Sequence, residues 1–436
     1  MKITRKDGPM LRIVKSLLQM NMLKSALALT GGRFFNLAVS MILLLIQARF
    51  IGPEIIGLCQ SYSIPVGYMW ILTLGVSSAL ARELPYYLAR GEREKAMNLT
   101  QTAQSFAIVV GGLCASAFLL LSIRALILGD YLSAAGWGFQ IVAGFTVIYS
   151  SYIQTLYRTT NEFVTIAKAS TISAVTSIVT FPLIFVNAYL GIWTRGMATT
   201  LISNAFLFIK RPFKLSFGFD LQQLKQLIRF GLPLIAIGYI ESSLWTSTQL
   251  SLIFKMGGKT YLGLFTFLNS VLGALMIIPN AVAEILRPRF AAVYGETDGD
   301  INKTLAISYK PLAAALIVSI ITVLLAWLLL DDIIILLLPK YVDAIPALGI
   351  ALLLVPVMTV TCIKYIFVVA KNMRQNLIAT APGFVAATAL LYVFLARGMS
   401  FKYIFLPYVI GQLLNFIISL IIIFYVTKKE HHEACN

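Results

Sequence analysis

Apolar runs without a single charge recur from one end of this chain to the other, as in Ala38–Ala48 and Ile350–Ile363. A water-soluble fold needs a polar face on most of its helices, and these runs leave none. Only 12% of the 436 residues are charged while 59% are hydrophobic, and ordinary soluble domains carry about a quarter charged residues. A bilayer is the solvent that accepts such a surface. Crossing its hydrocarbon core takes about 20 apolar residues per helix, so the pattern predicts an all-α polytopic membrane protein. Twelve spans are expected, near residues 27–48, 55–80, 100–123, 132–155, 169–189, 191–209, 230–253, 261–285, 311–330, 345–369, 377–396 and 403–426.

A net charge of +17 could point to nucleic acid, but the basic residues sit in short segments between apolar runs. There they orient spans, because Lys and Arg favour cytoplasmic connections. With a cytoplasmic N-terminus, that side gathers 25 of the 35 Lys and Arg residues and the opposite side seven. The expected location is therefore the cytoplasmic membrane, multi-pass, with both termini inside and no nucleic-acid partner. The basic N-terminus (Lys2, Arg5, Lys6, Arg12) lacks a compact apolar core with a small-residue cleavage site, so no removable signal is expected. The longest connection, near 286–310, is too short for an extramembrane catalytic domain. No Gly-x-x-x-x-Gly-Lys stretch occurs, the two histidines lie in the tail, and the cysteines lack metal-ligand spacing. The expectation is a non-enzyme with no cofactor and no metal.

The halves of the chain echo each other. Gly57 and Gly263, Arg82 and Arg287, and the pairs Gly91-Glu92 and Gly295-Glu296 match at offsets of 206, 205 and 204. Six spans per half is an even number, so both copies enter the membrane from the same side, related by an axis along the membrane normal. The expected domains are a six-helix bundle over 1–209, a basic cytoplasmic linker over 210–229 and a second six-helix bundle over 230–436. The linker holds an amphipathic stretch, Leu221–Ile228, that suits either the inner leaflet surface or a solvated connection.

The segment Ala48–Gly57 (Ala-Arg-Phe-Ile-Gly-Pro-Glu-Ile-Ile-Gly) resembles the signature of bacterial polysaccharide flippases of the O-antigen type. These belong to the multidrug/oligosaccharidyl-lipid/polysaccharide transporter superfamily. Arg90–Lys95 resembles the cytoplasmic loop after their second span, and Pro339–Ala344 the element before their tenth. The resemblance implies two six-helix bundles around a cavity that opens alternately to either side. It implies a polyprenyl-pyrophosphate-linked oligosaccharide as cargo, carried from the inner to the outer leaflet for surface polysaccharide such as lipopolysaccharide O-antigen. Membrane lipid and other polysaccharide-assembly proteins are the further partners it implies. Physically, Gly52-Pro53 stops the first helix, Glu54 suits the start of the second, and Arg49 can reach the headgroups.

Ionisable groups at span depth carry the functional signal, since a charge at mid-span costs about 2.5–3.5 kcal/mol on insertion scales. Glu241 lies near the midplane of the seventh span, with Trp245, Thr248 and Gln249 on the same helical face. It either binds a coupling proton or sodium ion, or is a structural carboxylate held by its Ser and Trp neighbours. Arg33, Asn36 and Ser40 share a face of the first span, and the repeat places Arg33 and Glu241 at similar depth on corresponding helices. A guanidinium can grip pyrophosphate; Arg33 can equally snorkel to the inner surface. Arg195 and Lys364 are further cationic cavity candidates with the same alternative. Asn269 and Asn280 line one stripe of the eighth span, which Pro279 is expected to kink. Glu284 at its inner end is a gate candidate toward Arg287 or Arg289, or a plain interfacial charge.

Two other functions remain open on sequence grounds. A cation-coupled multidrug exporter of the same superfamily would export organic cations, and a non-transporting scaffold for glycan assembly would have no use for polar stripes at midplane depth.

Overall fold

The computed structural model describes residues 31–32, 34–213, 216–297, 300–370 and 372–435. Side chains are described in the same ranges except at 281, 284, 285, 287, 288, 291, 292 and 428–435. Among these residues every regular element is helical. In chain order the α-helices are α1 (Phe34–Phe50), α2 (Pro53–Met69), α3 (Val76–Ala89), α4 (Arg93–Ile127), α5 (Tyr131–Thr159) and α6 (Phe163–Thr180). Next come α7 (Leu183–Val186), α8 (Ala188–Ile209), α9 (Leu221–Tyr239), α10 (Trp245–Leu275), α11 (Ile277–Glu296) and α12 (Ile301–Ala306). The last are α13 (Tyr309–Leu337), α14 (Ile345–Leu352), α15 (Leu354–Thr361), α16 (Tyr365–Val369), α17 (Met373–Ala396) and α18 (Leu406–Cys435).

Nine helical segments among the described residues are long and apolar enough to cross a bilayer. One of them, Leu221–Leu275, is 55 residues long and breaks at Gly258, whose φ of +76° suits a residue without Cβ. It therefore holds two of the twelve expected spans, while α1 and α8 cover the first and sixth. The chain is a polytopic all-α membrane protein. Its outward faces agree: α13 presents Ile317, Ile321, Leu324 and Leu328 exposed, a stripe that water would not tolerate and acyl chains match.

By contacts the chain forms two compact units, residues 1–43 with 72–233, and residues 44–71 with 234–436. The boundaries differ in two places from those read off the sequence. Residues 44–71 pack with the second half of the chain, and the linker 210–229 lies within the first unit. The amphipathic stretch from Leu221 is the start of α9, which runs on unbroken to Tyr239. It extends the seventh span instead of lying as a separate surface helix.

In the first unit, polar side chains tie neighbouring helices together. Asn36 Nδ2 donates to the Ser170 carbonyl at 2.8 Å, joining α1 to α6, and Tyr157 donates to the Leu207 carbonyl at 2.7 Å, joining α5 to α8. Glu92 joins Arg90 at 3.0 Å and Lys95 at 2.7 Å, so the Arg90–Lys95 motif is an ion-paired turn between α3 and α4. Its carboxyl is held below the usual range, chiefly by the Lys95 hydrogen bond.

In the second unit, two of the motifs behind the family resemblance touch each other. The helical turn Pro339–Ala344 inserts Tyr341, fully buried, against Phe267 with ring centroids 4.4 Å apart. The Tyr341 hydroxyl donates to the Ile51 carbonyl at 3.1 Å, and Lys340 Nζ to the Phe50 carbonyl at 2.6 Å. These are the carbonyls left unpaired where Gly52-Pro53 ends α1. Glu54, in the first turn of α2, accepts from Thr260 Oγ1 at 3.5 Å.

Candidate functional site

Within the second unit, a hollow of about 180 Å³ with a mixed polar and apolar lining forms where two interrupted spans meet α17. The first interruption is a π-helical turn, Ile240–Leu244, between α9 and α10. A π-turn adds a residue to the helix, so it breaks the register of side chains before and after it. The single water-facing stripe expected from Glu241 through Gln249 is accordingly divided. Glu241 and Ser242 face the hollow. Thr248 and Ser251 instead meet the Tyr68 hydroxyl, at 3.5 and 3.0 Å, on α2. Gln249 is buried, while Trp245 still lines the hollow with Glu241, its ring packed between Phe384 and Tyr408 at 5.7 and 5.1 Å.

The second interruption is the tenth span, cut into α14, α15, a 3-10 turn at Cys362–Lys364 and α16. Pro356 lies near the start of α15, where its missing N–H is tolerated, and the tighter turn swings Lys364 inward. Its ammonium donates to Glu241 Oε1 at 2.8 Å. With its side chain 12% exposed, Lys364 does not extend to a membrane surface. The third contribution comes from α17, where Thr380 Oγ1 donates to the same Glu241 oxygen at 2.9 Å. Behind it, Asn415 of α18 accepts from the Gly383 N–H at 3.0 Å, fixing α17 beside α18.

Pairing is what allows two charges to persist here, since an unpaired charge in the membrane interior is costly. Glu241 remains 28% exposed, toward the hollow. Asn280, Gln412, Asn415 and Thr361 supply further polar groups around it. The arrangement is a carboxylate and an ammonium in direct contact on the wall of a small hollow. Either could exchange its partner for an ion of the same sign as that partner.

The remaining candidates distribute as follows. Asn280 lines the hollow, while Asn269 is exposed on α10 away from it. The expected kink of the eighth span is present, with α10 ending at Leu275 and α11 starting at Ile277. Pro279 cannot donate to the Leu275 carbonyl, so the break falls one turn before the proline. In the first unit, Asn36 spends its amide on Ser170 and accepts from Ser40 at 3.3 Å, which makes the pair a helix–helix tie. Arg195 lies over the Phe181 ring at 5.7 Å, and its Nη1 is buried with no hydrogen-bond acceptor. Arg33 and the side chain of Glu284 lie outside the described residues. Thr380, Gln412 and Asn415 were missed from sequence; their signal was a lone polar residue, or two spaced by three, inside an apolar run.

A family model described as polysaccharide biosynthesis protein matches residues 22–294. The chain belongs to that family. The fold is that of the MATE transporters of the MOP superfamily. An inward-facing multidrug resistance MATE family transporter matches with TM-score 0.71 and 15% identity, over 90% of this chain and 95% of that one. An outward-facing one matches with TM-score 0.63 and 17% identity, over 93% and 96%. A MATE protein in its straight conformation gives 0.60 and 16%, over 94% and 96%. No curated protein matches the chain. A polysaccharide family is what the Ala48–Gly57 segment led one to expect, and the fold is the one those MATE transporters share.

Proposed function

We propose that this protein flips a polyprenyl-pyrophosphate-linked oligosaccharide from the inner to the outer leaflet of the cytoplasmic membrane by alternating access. The polysaccharide biosynthesis family supports a saccharide cargo. The observation that carries the mechanism is the Lys364–Glu241–Thr380 cluster on the wall of the hollow. A pyrophosphate is a stronger anion than one carboxylate, so it competes with Glu241 for the Lys364 ammonium. Once released, the Glu241 carboxylate takes a proton or a sodium ion, and loss of that ion restores the internal pair and expels the cargo. In the first unit Arg195, whose Nη1 is buried without an acceptor, is a separate candidate for holding an anion, and the sequence adds Arg33 as another. The membrane gradient supplies the driving force and no cofactor is required.

Deleting the gene and measuring lipid-linked intermediates in each leaflet tests this reading. Unexported carrier-bound oligosaccharide accumulates in the inner leaflet if the proposal holds; normal surface glycan with normal intermediates removes it. The likeness to multidrug MATE structures favours one rival, an exporter of organic cations. That rival requires the deletion strain to become sensitive to such compounds while its surface glycan is unchanged.

A further inference from the structure

A second recess lies in the first unit. Helices α4, α5 and α8 enclose an open groove of about 320 Å³. Its walls are Ile108, Phe145, Tyr149, Leu201, Ala205 and Phe208, and they are almost wholly apolar. The only amide in it, Asn204, is already used: it accepts from Ser150 at 2.8 Å and donates to the Thr200 carbonyl at 2.8 Å. From Leu201 to Phe208 the groove follows two turns of α8, about 10 Å at the helical rise.

A cation stands at one end. Arg211 follows the C-terminus of α8, and its guanidinium lies over the Phe208 ring at 4.1 Å and beside the Tyr149 hydroxyl. The Arg211 Nε is buried and has no acceptor. Buried donors are almost always paired, and an orphan on a guanidinium calls for an anion. The neighbouring chain is fastened in place: Gly218 N–H donates to Ser105 Oγ at 3.0 Å and Gln101 to Ser216 at 3.0 Å. Phe217, Phe219 and Leu221, which follow Lys210 and Arg211 in the same short stretch of sequence, stand exposed. Aromatic and basic residues gathered in one short connecting segment suit the level of lipid headgroups.

We propose that this groove binds an anionic glycerophospholipid, one acyl chain lying against Leu201, Ala205 and Phe208 and the phosphate accepting from Arg211. The groove's shape suits a single chain, its lining suits only hydrocarbon, and its cation sits where the headgroup of a chain so placed must fall. Charge complementarity selects an anionic lipid over a zwitterionic one.

The test is native mass spectrometry of the purified full-length protein titrated with phosphatidylglycerol or phosphatidylcholine. Wild-type protein is expected to retain phosphatidylglycerol at least fivefold more tightly. Arg211→Gln is expected to remove that preference. Leu201→Trp, at an exposed position, fills the groove and is expected to weaken both lipids while leaving the melting temperature in lipid-free detergent unchanged. Equal retention of the two lipids by wild-type protein overturns the proposal, as does an unaltered preference in Arg211→Gln. Displacement of phosphatidylglycerol by equimolar polyprenyl pyrophosphate also overturns it, and would reassign the groove to the cargo. None of these readouts depends on flipping, so the lipid site and the transport reading can fail separately.

Discussion

Gly57 and Gly263 pack against each other, and the two occupy the same place in the two halves of the chain. A Cβ on Gly57 would overlap the carbonyl oxygen of Lys259, and a Cβ on Gly263 would overlap that of Pro53. Pro53 and Lys259 are themselves repeat partners, as are Glu54 and Thr260, which hydrogen-bond across the same seam. The contact is therefore symmetric, and small residues at such a point are how helices in lipid approach closely. Gly57→Ala or Gly263→Ala should destabilise the seam by about 1–3 kcal/mol, the usual cost of overpacking. Gly112→Ala, which meets nothing within 4 Å, should be neutral. Thermal unfolding in detergent checks this; an unchanged midpoint for Gly57→Ala would refute the seam.

The Lys364–Glu241 pair predicts a specific non-additivity. Lys364→Met leaves the Glu241 carboxylate unpaired and should destabilise the protein, whereas Lys364→Met with Glu241→Gln removes both charges and should recover much of the loss. A coupling of about 1–3 kcal/mol is expected, toward the lower end because Glu241 is partly exposed. These two variants and Glu241→Gln alone, which completes the cycle, should each lose at least tenfold in transport. Additive effects on stability would mean that the two groups do not act as a pair.

Asn415 is nearly fully buried, and its side-chain oxygen serves the Gly383 N–H. Asn415→Ala removes that acceptor beside the hollow and should cost about 1–3 kcal/mol. The check is again the unfolding midpoint, with Asn269→Ala, at an exposed position, as the neutral comparison.

Outside the spans, Asp130 and Asp300 cap α5 and α12 by accepting the N–H groups of Ser133 and Lys303, each at 3.0 Å. Both carboxyls are held below the ordinary range, Asp130 chiefly by the Ser133 side chain and Asp300 by the Lys303 backbone. A depressed folded value means the cap contributes fully above the unfolded pKa of about 3.9 and is lost as pH falls through the folded one. Asp130→Ala should therefore lower the unfolding midpoint at pH 7, by an amount that shrinks below about pH 4. A penalty that persists undiminished at pH 3 would show that the cap is not the cause.

Much of the fold was legible because hydrophobic runs of membrane length can do little else. Basic connections, the twelve spans and the Gly57–Gly263 repeat could all be read without coordinates. The interior of the candidate site could be read only in part. Glu241 and Lys364 stood out as charges in lipid-depth segments, but nothing in a linear pattern says that residues 123 apart are partners. An ideal helical wheel put Thr248 with Glu241; the π-turn at Ile240–Leu244 separates them, and π-turns leave no reliable trace in composition. Asn36, read as a cavity residue, also ties α1 to α6, since polarity serves helix–helix ties and water-lined faces alike.

The most direct test of the account is translocation by the purified protein in proteoliposomes, with polyprenyl-pyrophosphate-linked oligosaccharide placed in one leaflet and an ion gradient imposed. Wild-type protein should move the lipid-linked sugar to the opposite leaflet, and Lys364→Met should move it at least tenfold more slowly. Wild-type vesicles that leave the sugar in place while exchanging organic cations for protons or sodium would contradict the account.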